Sequence, residues 1–68
     1  MANRVHELRW QKMMTVTELA KKSGLARATV WAIENNVERG YNLSTLVKLA
    51  KALDTPVNEL FDLEALNQ

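Results

Sequence analysis

Apolar residues recur along this chain at three- and four-residue spacing, and turn-forming residues divide the pattern into five short helices. Val5 and Leu8 lie three apart, and the aliphatic stem of Lys12 continues their stripe. A first helix is therefore expected from about Arg4 to Lys12, capped by Asn3, with Arg9 beside the stripe and Trp10 off it, toward the C-terminal region. Met13 and Met14 end it. Thr15 and Glu18 have the spacing of a capping box, starting a second helix that runs to about Ser23 with Val16, Leu19 and Ala20 inward and Lys21 and Lys22 in solvent. Gly24 follows, the residue type expected where a helix stops in a left-handed conformation. A third helix begins at Ala26–Arg27 and ends near Asn35, with Val30 and Ile33 on its inner edge and Leu25 packing just before it. Residues 36–41, NVERGY, break the period and read as a loop. Asn42 caps a fourth helix to about Leu53, whose Leu43, Leu46, Leu49, Ala50 and Leu53 make a stripe broad enough for a central core helix. Asp54 ends it. Thr55 as N-cap and Pro56 as first helical residue then open a short fifth helix to about Phe61, with Val57, Leu60 and Phe61 inward, and residues 62–68 form a tail. No alternating strand pattern occurs. The expected fold is all-α, in one domain spanning residues 1–68, with a helix-turn-helix at 15–35 and a core helix at 43–53.

Composition narrows the chemistry. A hydrophobic fraction of 47% with two glycines and one proline suits a packed helical domain and argues against disorder. There is no cysteine, and the single histidine, His6, has neither a second histidine nor a thiol to share a metal, so no metal or other cofactor is expected and His6 reads as a helix-surface residue. No nucleophile–base arrangement or phosphate-binding glycine loop is present, so enzyme activity is not expected. No apolar run approaches membrane-spanning length and no signal-peptide pattern opens the chain; no membrane association and a cytoplasmic location are the expectation.

The formal net charge of +1 hides an uneven distribution. All nine Lys and Arg lie in residues 1–53 against four acids, a net of +5, whereas residues 54–68 carry Asp54, Glu59, Asp62 and Glu64 and no base, a net of −4. The basic part can face a polyanion and the acidic tail is repelled by one.

Two helices of about eight residues joined by a tight glycine turn cross steeply, so the second protrudes while the first braces it. A protruding helix fits the major groove of double-stranded DNA, where the base edges distinguish all four pairs. The face offered by the third helix carries Arg27, Ala28, Thr29 and Trp31 as candidate base contacts. Alanines allow close approach, Arg27 suits a phosphate or a guanine edge, Thr29 suits a phosphate or a thymine methyl, and Trp31 suits thymine methyls or sugars. Trp31 has two readings, toward DNA or packed against the loop as part of the core. Thr15, Thr17, Asn35, Asn42 and Ser44, near the N-termini of the second and fourth helices and the end of the third, are candidate phosphate contacts, with Arg39 adding a charge from the loop. Taken singly, each of these also serves as an ordinary cap or solvated loop residue.

Leu8 and Arg9, then TELAKKSGLARATVWAIEN, LSTLVKLAKAL and VNELF, resemble the Cro/C1-type (Xre) helix-turn-helix family over Val5 to Phe61. The resemblance implies a five-helix, lambda-repressor-like DNA-binding domain that binds operators as a homodimer. It also implies that Arg9 and Glu34 form a buried ion pair near the DNA backbone, and each of the two does sit beside an apolar stripe. The chain departs from the family pattern at several positions. Val16 stands where a phosphate-contacting glutamine is usual, Ala26 replaces the common Ser or Thr cap, and Met13 and Asn36 replace frequent glycines. Tyr41 replaces a frequent proline.

The function expected is sequence-specific double-stranded DNA binding in transcriptional regulation, repressing rather than activating. The alternative is a protein-interaction or antitoxin-like module that keeps the fold and binds a regulatory protein through its acidic tail. An activator would also need an RNA polymerase contact, for which Glu38 or the tail is the candidate. Two copies on a palindrome with half-sites about 34 Å apart read more sequence than one. Val57, Leu60, Phe61, Leu63 and Leu66 are expected to supply the homodimer interface, in residues 56–68.

Overall fold

The computed structural model describes residues 3–37 and 41–61, which form five helices: α1 (Val5–Gln11), α2 (Val16–Ser23), α3 (Arg27–Glu34), α4 (Leu43–Ala52) and α5 (Val57–Leu60). The architecture is all-α, in helices of four to ten residues. Segments this short are marginal in isolation, so burial of their apolar faces has to hold them.

The starts of α2 and α4 follow their capping residues. Thr15 Oγ1 accepts from the Glu18 amide at 3.0 Å while the Glu18 carboxylate accepts from the Thr15 amide at 3.1 Å, a complete capping box. That amide holds the Glu18 carboxyl below the usual carboxylate range. Its contribution is therefore complete above the ordinary glutamate range and is lost as pH falls through the lowered value. Asn42 caps α4 by accepting from the Thr45 amide at 2.9 Å. Asn3 does more than cap α1. Its Oδ1 accepts from the Val5 amide, and its amide nitrogen donates to the Ile33 carbonyl at 2.9 Å and to Asn36 Oδ1 at 3.1 Å, tying the start of α1 to the end of α3. A single antiparallel bridge between Asn3 and Phe61, with the Arg4 amide donating to the Leu60 carbonyl at 2.9 Å, also closes the two ends of the domain.

Three helices end in the same way. After α1, α3 and α4, a residue in left-handed conformation (Met13 at φ 56°, Asn36 at 56°, Asp54 at 53°) sends its amide back to a carbonyl three residues earlier, and the next amide reaches the carbonyl five residues before it. This is the Schellman termination, and at all three places a non-glycine residue occupies the position that favours glycine. Asn and Asp tolerate it; Met13 does not, and its side chain, 90% exposed, gains no packing in return. Met13→Gly is therefore expected to stabilise the domain by about 1 kcal/mol, raising the thermal midpoint by roughly 4–8 °C in circular dichroism melts. An unchanged or lower midpoint would show that the left-handed residue carries no strain.

The Asp54 turn shifts the expected start of α5. Thr55 is still closing α4, its amide bonded to the Ala50 carbonyl at 3.0 Å and its hydroxyl donating to the Leu53 carbonyl, so it is not an N-cap. Pro56 takes that position, its carbonyl accepting from Glu59 and Leu60. The core is built from Val5, Leu19, Val30, Ile33, Leu46, Leu49, Leu53, Leu60 and Phe61, with Ala20, Ala50 and Ala52 filling the close approaches. Three expected core contributors lie outside it. Leu43 sits in the first turn of α4, beyond the edge of the cluster, and is exposed. Lys12 follows the last helical residue of α1 and leaves the helical phase. Trp10 is exposed, its ring tilted at 6.0 Å from that of His6 rather than seated on the core. Among the described residues no helix is long and apolar enough to cross a membrane, and no group of His, Cys, Asp or Glu is placed to hold a metal ion.

Candidate nucleic-acid interface

Gly24 sets the geometry of the interface. At φ 74° it stops α2, with its amide and that of Leu25 both bonded to the Ala20 carbonyl, and Leu25 then packs against the core as the chain turns into α3. α3 buries Val30, Ala32 and Ile33 and leaves Arg27, Ala28 and Trp31 outside. Trp31 is 54% exposed, which decides between its two readings: it faces away from the core. Arg27, Ala28 and Trp31 together border a shallow concavity of about 430 Å³. Thr29 is half-buried at the margin of this face. Ala26, at the N-cap, has no side-chain acceptor, so the Arg27 and Ala28 amides at the tip of α3 have no partner among the described residues.

One ion pair fixes α3 against α1. Arg9 Nε donates to Glu34 Oε2 at 2.8 Å and an Arg9 terminal nitrogen donates to Glu34 Oε1 at 3.0 Å, a two-point contact between side chains that are 12% and 4% exposed. The other terminal nitrogen of Arg9 donates to the Met14 carbonyl at 2.8 Å, so the same guanidinium also holds the turn into α2. His6 Nδ1 lies 2.9 Å from Glu34 Oε1 and 3.2 Å from Arg9. Nothing in the sequence pattern distinguished His6 from a solvated histidine; its place three residues before Arg9, on the same side of α1, is the signal that was available.

The candidate phosphate contacts differ in what they have to offer. Thr15 Oγ1 is used as a cap acceptor, but its hydroxyl proton is not spent on that bond. Asn42 Oδ1 accepts from both the amide and the hydroxyl of Thr45, which leaves its amide protons for an outside acceptor. Asn35 donates one amide proton to the Trp31 carbonyl at 2.8 Å. Thr17 and Ser44 are exposed and make no side-chain hydrogen bond among the described residues. Arg39 lies outside the described residues. Val16, where a polar side chain was missing from the pattern, is half-buried against the core.

A family model described as helix-turn-helix matches residues 5–60. The chain belongs to the Cro/C1-type helix-turn-helix family. It is 32% identical over 59 residues to the HTH-type transcriptional regulator SinR of Bacillus subtilis (strain 168), covering 87% of this chain and 53% of that protein. The chain thus spans about half the length of the curated relatives it matches. Among solved structures, the restriction-modification controller protein C.AhdI from Aeromonas hydrophila is 41% identical with a TM-score of 0.78, over 85% of this chain and 86% of that one. SinR in complex with DNA is 31% identical with a TM-score of 0.74, over 81% and 87% of the two chains. The SinR/SinI complex is 29% identical with a TM-score of 0.80, over 96% of this chain and 63% of the other. These relatives are a transcriptional regulator and a restriction-modification controller protein.

The residues expected to pair two copies divide between core and surface. Leu60 and Phe61 are 1% and 2% exposed, spent in the core of their own domain, so they leave no surface for a second copy. The Asn3–Phe61 bridge ties Phe61 to the segment that leads into α1. Leu63 and Leu66 lie outside the described residues. Val57 is half-buried and remains at the surface, on a groove between α4 and α5 that Val47, Lys51, Asp54 and Pro56 also line.

Proposed function

We propose that this protein is a sequence-specific double-stranded DNA-binding regulator of transcription, acting as a homodimer in the cytoplasm and repressing rather than activating. The observation that carries the reading is the outer face of α3. It is a braced helix in this family's scaffold, with a cation unpaired among the described residues (Arg27), a small residue (Ala28) and an exposed aromatic (Trp31) on its outer face. Arg27, Ala28 and Trp31, with Thr29 at the edge, would meet the base edges, while Thr15, Thr17, Asn35, Asn42, Ser44 and Arg39 would meet phosphates. The solved complex of SinR with DNA supports the same reading. Repression requires only that the site be occupied, whereas activation requires a further contact with RNA polymerase. The test is binding to a random duplex library at two salt concentrations. An enriched sequence and an affinity that falls steeply with salt are expected, and undetectable duplex binding at low salt would refute the proposal.

For the homodimer, the groove between α4 and α5 replaces the buried part of the expected interface. In a two-fold contact Val57 and Pro56 of each copy would pack together and Lys51 of one would face Asp54 of the other, consistent with an isologous patch. Val57→Asp is expected to convert a dimer at micromolar concentration to a monomer in sedimentation while retaining helical circular dichroism. A wild-type protein that sediments as a monomer both free and on operator DNA would dismiss this arrangement. Control by a regulatory protein is the second reading, supported by the solved SinR/SinI complex.

A further inference from the structure

We infer that the concavity formed by Arg27, Ala28 and Trp31 reads the 5-methyl group of a thymine, so that Trp31 is a specificity-determining residue; this rests on the proposed DNA-binding role of α3. Trp31 lies four residues beyond Arg27 and three beyond Ala28 on one helix, so its ring adjoins both, and the three line one opening. The opening joins one apolar wall, one methyl-sized step and one cation. The aromatic wall is unusual for a solvent-facing position because it is neither packed on the core nor paired with another ring among the described residues. A tryptophan has only a ring N–H to donate and accepts nothing, so it is poorly suited to hydrogen-bond readout of base edges. Its large apolar face instead suits the one apolar group that the major groove displays, the thymine methyl. Ala28 is small enough to let a base edge approach that face. The Arg27 guanidinium and the two unpartnered amides at the start of α3 supply the positive end that draws the polyanion to this opening rather than another apolar ligand.

The experiment uses the duplex enriched from the random library. Each thymine is replaced singly by deoxyuridine, which removes the methyl and leaves every hydrogen-bonding group in place. Wild-type protein is expected to lose roughly four-fold in affinity, on the order of one buried methyl, at one thymine in each half-site. Trp31→Ala is expected to bind the unmodified duplex more weakly and to show no difference between thymine and deoxyuridine at that position. Trp31→Leu, which keeps an apolar wall, should retain part of the difference. Helical circular dichroism should be unchanged in both variants, because the side chain does not pack on the core. Specific binding with no deoxyuridine effect at any position, or an effect that persists in Trp31→Ala, overturns the inference while leaving DNA binding intact. Failure to enrich any duplex overturns both.

Discussion

Arg9→Ala should cost about 3 kcal/mol or more, a large part of the domain's total stability. A domain of this length has on the order of 3–10 kcal/mol of total stability, so one such loss removes about a third of it or more. The expectation follows from what the substitution leaves behind. Glu34 is 4% exposed, and without Arg9 its carboxylate keeps, among the described residues, only His6 as a partner. Arg9 also holds the Met14 carbonyl, so the turn from α1 into α2 loosens at the same time. Glu34→Ala should cost less, about 2 kcal/mol, because the surviving guanidinium is somewhat more exposed and retains the Met14 carbonyl. The two substitutions should not add. Arg9→Met combined with Glu34→Leu should recover most of the stability, since a buried ion pair exchanged for apolar side chains of similar volume is often neutral or better. Urea denaturation of wild type, the two single alanine variants and the Arg9→Ala/Glu34→Ala double gives the coupling directly. If Arg9→Ala unfolds within 1 kcal/mol of wild type, the pair does not brace α3 and the steadiness of the interface needs another source.

This ion pair is also the best example of what the sequence made legible. Arg9 and Glu34 are 25 residues apart, and helical periodicity places each only beside an apolar stripe. The resemblance to the Cro/C1-type family joined them. The helix starts were readable because capping is local chemistry: Thr15 with Glu18, and Asn42 with Thr45, act within one turn. The helix stops were less so. Met13 and Asp54 take a left-handed conformation that favours glycine, and the hydrogen bonds closing each turn are formed by the backbone, which carries no residue signature. The misplaced start of α5 follows from that, because Thr55 belongs to the end of α4. The buried state of Leu60 and Phe61 depended on a bridge between residues 3 and 61, and a one-dimensional apolar pattern does not say whether its surplus meets the same chain or another. The outer face of α3 was the opposite case. Periodicity alone put Arg27, Ala28 and Trp31 outside, and the exposure of Trp31 then separated its two readings.

Arg27→Ala should reduce affinity for the preferred palindrome by roughly thirty-fold to ten-thousand-fold, because a homodimer loses the contact twice. A single arginine contact with a guanine edge is worth about 1–3 kcal/mol of discrimination, so a duplex holding one half-site should lose only about the square root of that factor. The comparison separates three cases. If Arg27 reads a base, the variant loses preference at one position in each half-site while the salt slope of binding changes little. If it contacts phosphate, all sequences weaken alike and the slope falls by about one per half-site. If two copies do not bind together, palindrome and half-site lose by the same factor. The substitution should not disturb folding, since Arg27 is exposed, lies in the first turn of α3 and makes no side-chain hydrogen bond among the described residues. Alanine there also removes a cation from the positive end of the helix dipole, a change that favours the helix slightly. A weakened complex with an unchanged or higher thermal midpoint would therefore place the loss at the interface. An affinity within three-fold of wild type on both duplexes would mean that the exposed end of α3 does not enter the groove.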